Sequence, residues 1–192
     1  MTQLIWGCLD TPVGLVSVGC SATGVARVSY GPPPPAAPGG APVPADAAGT
    51  VLAAALAELD GYFAGQAKAF GVPVDLPAAA GARRTVLSAL HGSVGYGQTV
   101  TYGALAARAG LDGQAGGTAM PPARVVGQIM ASNPIALIVP CHRVVAGDGL
   151  GGYSGGTGTD VKRWLLVFEG AIPPTLDWDP AGVRPRHQPA GA

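Results

Sequence analysis

Charge is what this chain has least of. Only 11% of its 192 residues are charged, and 11 basic side chains offset 11 acidic ones. Such a chain exerts no strong nonspecific pull on nucleic acid or on an anionic membrane. Cysteine is scarce too: Cys8, Cys20 and Cys141, an odd number at wide spacing. That excludes a disulfide framework and fits a reducing compartment, where free thiols persist. No segment approaches the roughly 20 apolar residues that a membrane-spanning helix needs. The opening residues, MTQLIWGCLD, hold neither a basic stretch nor a long apolar one, so no signal peptide is expected. These absences lead to the expectation of a soluble cytoplasmic protein.

What is present is apolar mass. Hydrophobic residues make up 48% of the chain, enough for one substantial domain or two small ones. The few charges are unevenly spread. Residues 1–80 carry Arg27 and Lys68 against Asp10, Asp46, Glu58, Asp60 and Asp75. Residues 81–170 carry Arg83, Arg84, Arg108, Arg124, Arg143, Lys162 and Arg163 against Asp112, Asp148, Asp160 and Glu169. A polyanionic partner should therefore meet the second half.

The first half reads as strand, glycine turn and strand across LDTPVGLVSVGCSATGVARVSYG, where Val16, Val18 and Cys20 alternate with smaller residues. The proline-rich stretch at 31–46 can be neither helix nor central strand, because proline fixes φ and removes a donor. TVLAAALAELDGYFAG predicts a helix with Leu52, Leu56, Leu59 and Phe63 on one face. VPVDLPAAAG reads as strand and linker, which sets the domains at 1–78 and 79–170. In the second, ARRTVLSALHGSV is a helix with Val86, Leu87 and Leu90 inward. TYGALAARAG is another, capped by Thr101 and stopped by Gly110. PPARVVGQIMASNP opens on prolines suited to a first helical turn and ends before Pro134. Two such helices in succession suggest a helix-turn-helix. RVVAGDGLGGYS predicts a hairpin turning at Asp148 and Gly149. TDVKRWLLVFEG is a last helix with Val161, Trp164, Leu165 and Phe168 on its apolar stripe. Residues 171–192 are proline-rich with little to bury, which predicts a mobile tail. The fold class is α+β: a small α/β N-terminal domain with a short antiparallel sheet, and a mostly helical C-terminal domain with a wing-like hairpin.

The chemistry concentrates in IALIVPCHRVV. A lone intracellular cysteine is most often a small buried hydrophobe, and Cys8 and Cys20, in strand-like sequence, take that reading. Cys141 differs, because Pro140 ends an apolar run that reads as a buried strand and places the thiol where the backbone leaves the core. His142 and Arg143 follow it and can stabilise the thiolate, the reactive form. A histidine at i+1 points away from its neighbour unless a water or a helical kink joins them. Glu169, at the edge of its helix's stripe, needs a buried partner, and an imidazole N–H is one candidate.

NPIALIVPCHRVV, with GGYSGG and KRWLLVFEG, strongly resembles the O6-alkylguanine-DNA alkyltransferases, or methylated-DNA–protein-cysteine methyltransferases. The resemblance is close from about Val94 to Gly170. It is fainter over residues 4–76, where DTPVG and YFAG recur at family-like places. It implies that the Cys141 thiolate takes the alkyl carbon from guanine O6 as a stable thioether, so each molecule acts once. It implies that His142 removes the thiol proton through a water, that Glu169 orients the imidazole, and that Asn133 braces the Cys141 turn. The base would be flipped from the duplex. Tyr102 would crowd the adjacent phosphate and donate to the guanine. Backbone at Cys141 and Val144 would accept from the guanine amino group, and Ser154 would donate towards O6 beside Tyr153. Arg124, which read alone is a solvated arginine, would fill the hole left by the flipped base. Ala123, Gly127 and Ala131 would let the helix approach the minor groove, which carries little sequence information. The implied partner is duplex DNA, met by a monomer. O4-alkylthymine as a second substrate and cooperative binding on DNA stay open.

Three departures stand out. The connection at 111–120 is longer than the family's usual turn. Leu87 stands where an aromatic is common. Cys20 could match one ligand of a zinc site found in some relatives, but its partners are missing, so no metal and no cofactor are expected. Three competing readings remain. A damage sensor without chemistry would lack the cysteine. A thiol hydrolase would need a distant histidine, and only His91 and His187 are available. A transcriptional regulator would need a cysteine-rich zinc module.

Overall fold

A computed structural model describes residues 4–35, 45–76, 80–111, 120–176, 178–180 and 182–183. The N-terminal part begins with a meander of β1 (Ile5–Thr11), β2 (Gly14–Cys20) and β3 (Val25–Tyr30), paired antiparallel in that order. The expected pair of strands is thus joined by a third, Ile5–Thr11, at the sheet edge. On an edge strand the two-residue alternation sends Cys8 and Asp10 outward, so Cys8 is exposed and not the buried hydrophobe expected. Cys20 is buried, and burial pushes its thiol up to about 11.

Helix α1 (Ala45–Phe63) packs on β1 and β2. Its fully buried residues are Ala48, Ala55, Leu59 and Tyr62, so the stripe is rotated from the expected one, and Phe63 is only half-buried. The rotation has a visible cause: Leu52 and Leu56 lie against Gly7 of β1, where an added Cβ would sit 2.9 Å from Leu56. Residues 72–76 form no strand beyond a single parallel bridge, Val25 to Val74. Residues 36–44 of the proline-rich loop, 77–79 of the expected boundary and 112–119 of the long connection lie outside the described residues.

The second part contains α2 (Gly81–Ser93), β4 (Val100–Thr101), α3 (Tyr102–Arg108), α4 (Pro122–Ala131), β5 (Val144–Val145) and α5 (Thr159–Phe168). Val86, Leu87 and Leu90 are buried as the periodicity requires. Thr101 caps α3 by accepting from the Ala104 N–H at 3.1 Å, and Gly110 follows with φ +69°. Helices α3 and α4 pack against each other as a helix-turn-helix. The turn at Asp148–Gly149 is closed by one antiparallel bridge, Ala146 to Gly149, rather than by two long strands. β5 pairs instead with β4, in parallel.

The two parts share one set of buried side chains, running from Val16 and Val28 through Leu59 and Leu90 to Ile135 and Leu165. Part of the expected mobile tail belongs to it. Trp178 and Val183 pack against this core, and Trp164 Nε1 donates to the Asp179 carbonyl at 2.9 Å. Residues 184–192 lie outside the described residues. Among the described residues no helix is long and apolar enough to cross a membrane.

Candidate active site

The segment before Cys141 is a compact turn, not the strand that five apolar residues suggested. Short apolar runs do not reveal their backbone by periodicity. Ile135 makes one parallel bridge to Val28, with Val28 N donating to Pro134 O and Ala136 N to Val28 O. The chain then folds back. Leu137 has φ +69° at the centre of an Ile138 N to Ala136 O bond, a γ-turn in a region that costs a leucine on the order of 1–3 kcal/mol. Pro140, at φ −82° and ψ 67°, centres an inverse γ-turn closed by Cys141 N to Val139 O. Asn133 holds this shape from inside. Its Nδ2 donates to Val139 O at 2.8 Å, and its Oδ1 accepts from Ile135 N at 3.1 Å.

Cys141 opens a 3-10 turn over Cys141–Arg143 and is 6% exposed. Burial raises its pKa. Hydrogen bonds from Asn133 and Tyr153 and the charge of Lys162 act against burial without cancelling it. The resting group is therefore a thiol, and a base is required to use it. His142 lies within the 3-10 turn, and its side chain is fully buried. His142 Nε2 lies 2.9 Å from Glu169 Oε1. A carboxylate only accepts, so the proton is on Nε2 and the Nδ1 lone pair is free when the ring is neutral. Nδ1 is buried without a hydrogen-bond partner among the described residues. Burial lowers the imidazole pKa, and Glu169 opposes that only in part.

Glu169 closes α5 and is saturated with donors. Besides His142 it accepts from Arg143 Nε and Nη2 at 2.9 Å each, from Tyr62 OH at 2.7 Å and from Gly97 N at 3.3 Å. Burial alone would raise this carboxyl, but His142 and Arg143 overturn that and bring it to about 2. Gly97 has φ +72°, and a Cβ there would lie 3.0 Å from the Glu169 carbonyl, so only glycine suits the position. Arg143 does not face the thiol, as the sequence had suggested. Its guanidinium is buried, paired with Glu169 and bonded through Nη1 to Val94 O. The cation beside Cys141 is Lys162, hidden on α5 with Nζ donating to Val144 O at 2.6 Å and Gly152 O at 3.0 Å. Burial holds that lysine down at about 8, against the pull of Cys141.

A cavity of about 220 Å³ opens on the sulfur and is lined by Tyr102, Gly127, Met130, Cys141, Tyr153 and Ser154 among others. The β4–β5 pairing, Val100 to Val144 and Thr101 to Val145, sets Tyr102 against this loop. Tyr153 OH meets Tyr30 OH at 2.8 Å, which links β3 to the site. Gly155 allows that closeness, since a Cβ there would fall 2.5 Å from the Tyr30 ring. Ser154 is exposed and donates to Ala131 O at 3.1 Å, and the Val144 carbonyl is already engaged by Lys162. A new donor at Val144 must therefore use the second lone pair. Arg124 is exposed on the first turn of α4, at the helix-turn-helix face. The structure thus gathers Cys141, His142, Glu169, Asn133, Tyr102, Gly127, Tyr153 and Ser154 around one buried sulfur. Tyr62, Tyr30 and Lys162 were not foreseen. Lys162 alone had a local signal: it sits four residues before Leu166 and seven before Glu169, on a helix with a wide buried face.

A shielded thiol that needs an internal base, set beside a helix-turn-helix, defines a cysteine-nucleophile protein built on a nucleic-acid-reading scaffold. Comparison with known proteins narrows the class. A family profile described as "6-O-methylguanine DNA methyltransferase, DNA binding domain" matches residues 82–171. The methylated-DNA–protein-cysteine methyltransferase of Mus musculus is 36% identical over 184 residues, covering 88% of this chain and 82% of that protein. A "DNA base-flipping protein" of Thermus thermophilus is 35% identical over 166 residues, covering 85% of this chain and 99% of that protein. The crystal structure of Mycobacterium tuberculosis OGT in complex with DNA superposes with a TM-score of 0.68 at 32% identity, covering 86% of this chain and 92% of that one. The chain belongs to the methylated-DNA–protein-cysteine methyltransferase family.

Proposed function

We propose that this protein repairs alkylated DNA directly, by moving the alkyl group of O6-alkylguanine onto Cys141. The observation that carries the reading is a buried thiol that opens on a small cavity and is backed by a neutral imidazole tied to a saturated carboxylate. In the step itself His142 Nδ1 takes the thiol proton through a water. The sulfur forms a bond to the alkyl carbon as the carbon–O6 bond breaks, and Tyr102 supplies a proton to the departing guanine. A thioether is not hydrolysed under these conditions, so the protein acts once. Asn133 positions the sulfur, and Val144, Tyr153 and Ser154 border the guanine.

Arg124 and Tyr102 would hold the lesion outside the duplex, with α4 in the minor groove and Gly127 allowing close approach. The acting species would be a monomer. Residues 79–170 would form the reacting unit and residues 1–78 its support. Three free cysteines, one of them the reactive thiol, fit the reducing cytoplasm. The test is Cys141→Ser. It should bind methylated duplex with unchanged affinity and transfer nothing, and methyl transfer by this variant would refute the assignment.

A further inference from the structure

The Glu169 carboxylate has a ligand from the other half of the chain. Tyr62, on α1, is 1% exposed, and its hydroxyl donates to Glu169 Oε1 at 2.7 Å. That oxygen is the one that receives His142 Nε2. Of the hydrogen bonds to Glu169, this is the shortest, and it spans 107 positions of sequence. The ring is fixed from several sides: Phe63, Tyr96 and Phe168 meet it edge-on at centroid distances of 5.0, 6.0 and 5.5 Å, and Phe70 lies tilted at 5.4 Å. An aromatic cage that needed only bulk would be served by phenylalanine, which already occupies three of these neighbouring places. A hydroxyl delivered to a buried carboxylate is a separate provision, because a buried O–H must find an acceptor. Burial and then the Glu169 charge push the phenol well above its ordinary range, so it remains a donor across the working pH range.

We infer that Tyr62 is a positioning residue that sets the basicity of the Glu169–His142 pair. The inference rests on the reading of His142 as the base. Three donors, Tyr62 OH, His142 Nε2 and Arg143 Nη2, share the electron density of Oε1. With the Tyr62 hydrogen bond in place, Oε1 accepts less strongly from Nε2, the imidazolium is less favoured, and Nδ1 stays deprotonated and ready at lower pH. The other groups facing the pair are Arg143 beside it, Lys162 on α5, Tyr96 before β4 and the neighbouring Cys141 thiol. Arg143 and Lys162 also disfavour the imidazolium. Arg143 and Lys162 are held in place by Val94, Val144 and Gly152, whereas Tyr62 brings the N-terminal half to the Glu169–His142 pair.

The experiment follows the ring 15N resonances of His142 against pH in the full chain, together with the pH dependence of transfer from free O6-benzylguanine. Tyr62→Phe should move the His142 titration upward by about half a unit to one unit, the worth of one hydrogen bond. The acid limb of the rate should rise with it. Incorporating 3-fluorotyrosine at position 62 makes a stronger donor and should move both the other way. Phe63→Leu, a packing control, should lower the melting temperature and leave the titration in place. A His142 titration that is the same in wild type, Tyr62→Phe and the fluorinated protein overturns the inference. If the titration moves and the rate profile does not, tuning by Tyr62 stands and the assignment of His142 as base falls.

Discussion

Cys141 is buried in a way that would make an ordinary cysteine inert. Its pKa is raised by desolvation, and the donors around it recover only part of that cost. Reactivity then depends on a neighbour that can take the proton inside the pocket. His142 suits that task because burial lowers its own pKa, which leaves the ring neutral and free to accept a proton at physiological pH. The sign of the pH dependence follows. With His142 present, transfer should already be near its plateau at neutral pH, since the imidazole is unprotonated there. With His142→Gln, the proton must leave an up-shifted thiol directly, so the rate should rise only in the alkaline range. It should be lower at neutral pH by ~10²–10⁴-fold, the usual worth of general-base assistance. Glu169→Gln removes the charge that favours the imidazolium, so the acid limb should move to lower pH while the plateau rate falls, because the ring becomes a weaker base. A stopped-flow pH profile on O6-benzylguanine checks both, and an unchanged profile for Glu169→Gln would leave the carboxylate a purely structural role.

Among the elements, α4 carries the test of base extrusion. Its buried side, Val126, Ile129 and Met130, anchors it to the core, while Arg124 stands exposed one turn earlier and Gly127 lines the cavity beside Tyr102. Arg124→Ala should therefore leave folding intact. If the arginine replaces the flipped base, repair of duplex DNA should fall roughly ten- to a thousand-fold, because unstacking costs a few kcal/mol and about 1.4 kcal/mol is tenfold. The reaction with free O6-benzylguanine should barely change, and a parallel fall in both rates would assign Arg124 to the pocket or the fold instead. These elements also mark what a sequence can disclose. The Thr101 cap, the prolines that open α4 and the stripe of α2 are local signals, and each is where the pattern placed it. The turn at 135–140 was not legible, because its γ-turns are imposed by Asn133 and by docking on Val28. Cys141, His142 and Glu169 could be named from a motif and a helix edge. Tyr62 could not, since nothing near it in the chain reports an acceptor 107 residues away.

The whole molecule carries less free positive charge than its sequence suggests. Arg143 and Lys162, part of the basic surplus of the second half, are buried and engaged with Glu169 and with backbone carbonyls. What remains outward includes Arg108, Arg124 and Arg163. Binding to DNA should then rest on a few placed contacts, with the salt dependence that each phosphate contact brings. The shared core has a second consequence. Because β3 holds the turn at 134–136 and α1 brings Tyr62 to Glu169, the first half is in direct contact with the site. The most direct test of the account is a titration of the intact protein with duplex containing one labelled O6-methylguanine, followed by peptide mapping. The account predicts that transfer stops at one methyl per molecule and that all label lies on the Cys141 peptide. Transfer beyond one equivalent, or label on the exposed Cys8 or on Cys20, would contradict it.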